Sequence, residues 1–278
     1  MQLRQDKDIQ ELHSTRPDQI FKEYRKAKAR MNRYVWITQF TILFLFIGGW
    51  EAAGRWQWID VLLFSYPSKI LALLGEKAAD GSLLPHVLVT VGETCAGFVL
   101  GTLAGLLLAT LIWWSPFLAR VLDPFFVVLN ALPKVALGPL FIVALGSGVV
   151  SIIATILSIT VIITTLVIYN SFRETDPNLL KVVLLFGASR IQSFTKVILP
   201  ASFPAIVSTL KVNVGLAWVG VIVGEFLVAQ KGLGYLMIYG FQVFNFTLVI
   251  GSLVVIAVVA TVMYQLVAAL ENRLIRRR

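Results

Sequence analysis

Charge is scarce in this 278-residue chain: Asp, Glu, Lys and Arg together make up 14% of it, against about 25% in an ordinary soluble protein. Too few charges remain to cover a water-facing surface, which excludes a conventional soluble enzyme and a charged disordered chain. Cysteine is scarcer still, since Cys95 has no second cysteine to pair with, and a disulfide-stapled secreted domain is excluded. Histidine occurs twice, as His13 and His86, far apart in sequence. The chain contains no HExxH, no CxxC, no G-x-S-x-G and no G-x-x-x-x-G-K-S/T phosphate loop. Metal chemistry, a catalytic triad and nucleotide binding through a phosphate loop therefore have no sequence support.

Apolar residues fill the space that charge leaves. They make up 58% of the chain, with a mean hydropathy of +0.82, and they cluster in six runs: Tyr34 to Trp50, His86 to Trp114, Val121 to Leu145, Val149 to Tyr169, Ala205 to Ala229, and Phe246 to Leu270. Such runs are of the length needed to cross about 30 Å of hydrocarbon as helix. Helix is the expected conformation because a lone spanning segment must satisfy its own backbone hydrogen bonds, and no alternating pattern points to a barrel. The fold class is thus an all-α polytopic membrane protein with six spans. Pro133, Lys134 and Pro139 interrupt the third run.

A net charge of +9 would raise nucleic-acid binding in a soluble protein, but the distribution of the cations argues otherwise. Nineteen Lys and Arg residues fall on one predicted side, in the arm to Arg33, at Arg120, in Ser171 to Lys211 and in Arg273 to Arg278; the other side has Arg55, Lys69, Lys77 and Lys231, and Lys134 falls inside the third run. The richer side is expected to be cytoplasmic, with both termini there. His13 and His86 then fall on opposite faces of the membrane. Residues 1–33 form a basic arm too polar for a secretory signal. Ile20, Phe21, Tyr24, Ala27 and Met31 recur there at helical spacing among Lys22, Arg25, Lys26, Lys28 and Arg30, the pattern of an interfacial helix; residues 1–18 read equally well as a solvated tail. Residues 34–278 make the membrane domain.

Between the fourth and fifth spans lies an unusually long connection, 171–204, and loops longer than about 12–15 residues usually carry a function. Its sequence from Asp176 is DPNLLKVVLLFGASRIQSFTKVILPASFPA. Asp176 as N-cap and Pro177 at the first helical position start a helix with Leu179, Leu180, Val183 and Leu184 on one face. Gly187 stops it. Ser189 caps a second helix whose apolar face is Ile191, Phe194, Val197 and Ile198, with Pro200 and Pro204 expected to end it. Two short amphipathic helices at a glycine bend predict a compact knob at the membrane surface.

This knob resembles the signature loop of the permease subunits of bacterial ABC importers: E-A-A, three residues, Gly, nine residues, I-x-L-P. Gly187 matches the glycine, and Val197, Leu199 and Pro200 match the final segment; Asp176, Pro177, Ala188, Ser189 and Arg190 also resemble the family. Lys181, Val182 and Val183 stand where the family has E-A-A. The likeness covers Tyr66 to Arg278, through HVLVTVGETCAGFVLGTLAGLLLA, LDPFFVVLNALPKVALGPLFIVALGSG and LAWVGVIVGEFLVAQKGLGYLMIYG, which are similar to the branch importing nitrate, taurine, aliphatic sulfonates, bicarbonate, thiamine precursors or riboflavin. The resemblance implies a methionine-importer-like fold in a bacterial inner membrane and a non-catalytic homodimeric permease. It also implies two cytoplasmic ATPase subunits that hold the ATP and Mg, an extracytoplasmic binding protein, and no cofactor on this chain. The loop then docks on the ATPase.

Within the spans, Gly97, Gly101 and Gly105 form a small-xxx-small face for close helix packing. Gly215, Gly220 and Gly224 read as packing positions or as slack for a moving gate. Ionisable groups in spans are functional candidates by default, which selects Glu93, Glu225 and Lys134. Glu93 is expected to pair with Lys134, and Glu225 either lines the pathway or joins a network with the Gly232–Gly234 loop. Asn130, Gln242 and Asn245 offer uncharged hydrogen bonds, and Trp218, Phe241 and Phe244 offer aromatic surface, with Trp218 the leading pathway candidate because a mid-span indole N–H needs a partner. Two alternatives stand beside the importer reading: an ion-gradient-driven transporter, which calls for inverted repeats not seen here, and an intramembrane enzyme, which two isolated histidines do not support.

Overall fold

The computed structural model describes the backbone of residues 17–276 and the side chains of 21–22 and 24–275. His13 and the first half of the basic arm lie outside the described residues. All the regular elements of the described residues are helices, with no strand among them, and they form two compact units: one ends at Val61 and includes Tyr66–Ser68, and the other takes in Leu62–Ser65 and continues from Lys69.

The first unit is built on α1 (Pro17–Arg55), a single 39-residue helix. No glycine or proline interrupts it between Pro17 and Gly48, and Lys, Arg, Glu and Ala favour helix. The arm beyond Pro17 is therefore continuous with the first span, with no break at Arg33. Arg25 and Lys28 lie over the rings of Phe21 and Tyr24, one helical turn back. Near its end, Glu51 pairs with Arg55 at 2.6 Å and accepts from the Ser68 N–H and hydroxyl at 2.9 and 2.7 Å.

Two short helices follow in the chain, α2 (Val61–Phe64) and α3 (Pro67–Ala79). The core of the second unit is formed by α4 (Leu83–Trp114), α7 (Val149–Arg173) and α10 (Leu199–Val228). Glycine makes the crossings close. A Cβ at Gly97, Gly101 or Gly105 of α4 would run into Ile156, Thr160 or Thr164 of α7, and one at Gly220 or Gly224 of α10 into Ile156 or Ile152. Gly215 instead faces open space. Between α7 and α10 the apolar cluster of Ile152, Ile156, Val214, Ala217, Trp218 and Val221 is buried. Polar groups join the same seams: Asn213, fully buried, donates to the Thr102 and Thr164 hydroxyls at 2.8 Å each, and the Thr165 hydroxyl reaches the Gly105 carbonyl at 3.2 Å. In an interior without water, side-chain hydrogen bonds of this kind hold helices in register.

The third span is corrected by the structure. It divides into α5 (Pro116–Ala131), a 3-10 turn (Lys134–Leu137) and α6 (Gly138–Leu145), with a bend of 93° between the halves. Pro133 has no N–H to donate and holds Leu132 extended, at φ −65° and ψ 137°. The first half also starts earlier than Val121, because Ser115 caps it by accepting from the Leu118 N–H with Pro116 in the first turn. With this bent pair counted as one span, the described chain has six apolar segments of crossing length, otherwise five. The last two elements are α11 (Leu233–Gln242) and α12 (Phe246–Arg276), packed against each other.

Candidate functional site

Capping chemistry builds the knob. The Asp176 carboxylate accepts from the Asn178 N–H at 2.8 Å, and Pro177 opens α8 (Pro177–Leu185). Gly187, at φ +79°, closes α8: its N–H reaches the Leu184 carbonyl at 2.9 Å and the Ala188 N–H reaches the Val183 carbonyl at 3.0 Å. This is the Schellman pattern, and a left-handed residue at its centre favours glycine. Ser189 and Gln192 then exchange two hydrogen bonds in a capping box that starts α9 (Arg190–Ser193).

The second helix does not end at the prolines. After one turn, α9 passes through a π-helical stretch (Phe194–Ile198) into α10, so Arg190–Val228 is one 39-residue span, with Pro200 in the first turn of α10 and Pro204 inside α10. Pro200 has no N–H to give to the ladder, and the wider π turn, in which the Leu199 N–H bonds to the Phe194 carbonyl, carries the helix past it. The span thus begins well before Ala205. Val197, Leu199 and Pro200 are half-buried in this segment, which ties the knob rigidly to α10.

Arg190 and Phe194 dock the knob onto the end of α4. The Arg190 guanidinium lies over the Trp113 and Trp114 rings at 5.6 and 5.8 Å and reaches the Trp113 carbonyl at 3.5 Å. Phe194 packs on Trp113 and on Phe172 of α7, with ring centroids 4.8 and 5.5 Å apart. Leu184, Leu185, Phe186 and Ile191 remain exposed, Leu185 and Phe186 at 87% each, with Lys181 exposed beside them. Leu185 and Phe186 escaped the helical-face count because they lie at the bend, where the 3.6-residue period stops.

A second cluster of sequence candidates meets at the opposite end of the bundle. Glu225, 1% exposed, accepts from the Thr90 hydroxyl at 2.7 Å and from the Gly234 N–H at 2.6 Å. The Thr90 oxygen accepts from the Leu233 N–H at 2.7 Å, and His86 Nδ1 accepts from the Gly232 N–H at 3.0 Å. Three donors at the start of α11 are thereby satisfied by α4 and α10, and the Glu225 carboxyl occupies the place a Cβ at Gly232 would need. Of the two roles anticipated for Glu225, the geometry is that of the loop network.

Glu93 does not pair with Lys134. Its carboxyl lies against that of Glu225 and borders a cavity of about 360 Å3 whose rim includes Ser147, Gln230 and Lys231. The Lys134 ammonium donates to the Asn130 carbonyl at 2.9 Å, because the bend at Pro133 carries it away from α4. Asn130, Gln242 and Asn245 are exposed, and Asn245 caps α12 by accepting from the Leu248 N–H at 3.0 Å. Phe244 stands beside it at φ +54° and is 71% exposed. Trp218 is 5% exposed, and its indole N–H has no acceptor among the described residues; it borders a cavity of about 460 Å3 with Lys211, Gly215 and Tyr264. Sequence reasoning missed Asn213, whose position within the fifth run was its only signal. It also missed the Lys211–Glu271 ion pair at 2.8 Å, which joins α10 to α12, because Glu271 stood just past the end of the sixth run.

Residues 101–276 match the family described as the binding-protein-dependent transport system inner membrane component. The chain is 28% identical to SsuC of Bacillus subtilis (strain 168), described as an aliphatic sulfonates transport permease, over 91% of this chain and 92% of that protein. It is 33% identical to a Haemophilus influenzae protein described as an ABC transporter permease, over 69% of this chain and 79% of that one. It is also 29% identical to ThiX, the formylaminopyrimidine transport permease protein of Halalkalibacterium halodurans, over 67% and 74%. In fold, it is similar to a chain of the MetNI methionine ABC transporter in an inward-facing conformation, with a TM-score of 0.59, 21% identity and coverage of 70% of this chain and 95% of that one. These likenesses set aside the ion-gradient transporter and the intramembrane enzyme. The chain belongs to the binding-protein-dependent transport system inner membrane component family, and it is a non-catalytic, multi-pass transmembrane subunit of an ABC importer.

Proposed function

We propose that this permease works as a homodimer in a bacterial inner membrane, with both termini cytoplasmic, driven by two ATPase subunits that grip the Asp176–Pro200 knob. A binding protein on the opposite face delivers a small solute, of the nitrate, sulfonate, taurine or bicarbonate kind, or a related small organic molecule. ATP and Mg sit on the ATPase subunits. The single observation that carries this reading is the knob itself: a capped, rigid bend continuous with α10 that leaves Leu185 and Phe186 almost fully exposed. An exposed apolar ridge on a fixed frame is what a protein partner buries. Closing two partner subunits would move α10 directly, since no hinge separates α9 from it.

Trp218, Glu93, Glu225, Asn130, Lys134, Gln242 and Asn245 are the pathway candidates. Burial and a free indole N–H beside a cavity favour Trp218, whereas Glu225 serves the pathway by fixing the start of α11. In this arrangement the basic arm to Arg33 is on the cytoplasmic side, its described part continuous with the first span. The test is Gly187→Val, which places a β-branched residue at φ +79°, a conformation such residues avoid. The variant is expected to remain folded in the membrane fraction, with its stability lowered by about 1–3 kcal/mol through local backbone strain, and to lose both co-purification of the ATPase subunits and ATP-dependent uptake. Unchanged co-purification and uptake would overturn the docking role.

A further inference from the structure

A cavity of about 510 Å3 opens where α4 ends, α5 begins and α7 ends, lined by Trp113, Pro116, Arg120, Asp123, Tyr169 and Arg173, among others. Its cations are unpaired: among the described residues, the ion pairs are Glu51–Arg55 and Lys211–Glu271, so neither Arg120 nor Arg173 has a carboxylate within 4.0 Å, although Asp123 shares the cavity. The Arg173 guanidinium is held over the Tyr169 ring at 5.8 Å. Trp113 is held in place by Phe194 and Arg190, at 4.8 and 5.6 Å from its ring. The first turn of α5 adds the positive end of a 16-residue helix. Adjacent in sequence to the lining residues Ile112, Pro116 and Arg120, the side chains of Leu111, Phe117 and Val121 expose apolar surface, Phe117 at 77%.

Each of these features fits one kind of ligand. Guanidinium groups bind phosphate oxygens in paired hydrogen bonds, Trp and Tyr at span ends sit at headgroup depth, and basic pockets between spans take anionic lipid headgroups. We propose that this cavity holds the phosphodiester headgroup of an anionic phospholipid, with Arg120 and Arg173 on the phosphate and an acyl chain along Leu111, Phe117 and Val121. Charge selects the diester over free phosphate. Two guanidiniums and the Asp123 carboxylate leave a net single positive charge, matched by a monoanionic diester, whereas inorganic phosphate carries more negative charge and would meet Asp123. Because Trp113 also bears Arg190, lipid in this cavity steadies the first residue of α9. The inference is independent of which solute is carried and of which face is cytoplasmic.

The test uses the full-length permease, delipidated in detergent, with phosphatidylglycerol or phosphatidylcholine added and adducts counted by native mass spectrometry. Phosphatidylglycerol is expected to be retained in preference. The R120A/R173A double variant should weaken its retention about fivefold for each arginine removed without changing that of phosphatidylcholine. R120K/R173K should keep the preference, and D123N should strengthen it. Equal retention of the two lipids, or a preference untouched by the double alanine change, overturns the site. Displacement of phosphatidylglycerol by inorganic phosphate at comparable concentration overturns the lipid as its occupant. Should the double alanine variant not fold, D123N decides: no gain in phosphatidylglycerol retention overturns the proposal.

Discussion

Glu225 gathers the start of α11 onto α4 and α10, and its substitution separates two roles of a buried carboxyl. Glu225→Ala leaves the Gly234 N–H without its acceptor, at a cost of about 1–3 kcal/mol for a buried polar group left unsatisfied, while the Thr90 hydroxyl keeps the His86 carbonyl at 3.1 Å. Glu225→Gln keeps an acceptor oxygen in the same place. Hydrogen exchange of the Leu233 and Gly234 amides should therefore accelerate strongly in the alanine variant and little in the glutamine variant; equal exchange in both would show that charge, not hydrogen bonding, holds the loop. A glycine in the same network admits no such graded change, since any side chain at Gly232 meets the Glu225 carboxyl. Single residues also mark where the sequence misleads. Lys134 and Glu93 have complementary charges and compatible positions along their runs, yet one bend keeps them apart.

At the scale of elements, the α4–α7 crossing depends on the absence of side-chain atoms. Gly101→Ala drives a methyl group into Thr160, and overpacking of this kind costs about 1–3 kcal/mol. Gly215→Ala, on α10 with nothing within 4 Å, should instead leave stability unchanged or raise it by up to about 1 kcal/mol through helix propensity. Thermal unfolding of the two variants in detergent checks the pair: opposite signs support the packing account, and equal losses would sink it. The α9–π–α10 span belongs to the same scale. Prolines usually end a soluble helix, but a segment entering lipid gains more by keeping its backbone bonded, and the π turn supplies the geometry for that.

For the whole molecule, the distribution of Lys and Arg predicts sidedness, and thiol labelling reads it. In a Cys95→Ser background, an impermeant thiol reagent applied outside spheroplasts should label Lys231→Cys and leave Ala188→Cys unlabelled until the membrane is opened. The reverse pattern would invert the topology and put the knob out of reach of cytoplasmic ATPase subunits. In the proposed arrangement a pull on the knob would reach the bundle directly, because Arg190–Val228 runs unbroken from the knob to the Glu225 network.

Hydropathy alone determined that this chain lies in a membrane as helices, because lipid forces every spanning backbone to bond within itself. The spacing from Asp176 through Gly187 to Ser189 likewise determined the capped bend, since caps and glycine bends are local and leave their marks in adjacent residues, whereas the continuation through Pro200 and Pro204 into the fifth span was not marked there. The tertiary structure alone decided what depends on contact between distant runs. It turned the third span through a right angle, separated Glu93 from Lys134 and set it against Glu225, brought Lys211 to Glu271, and placed Asn213 between two threonines. Depth and rotation of one helix against another are fixed by the close fit of side chains across each crossing, and no single run records the shape of its neighbour.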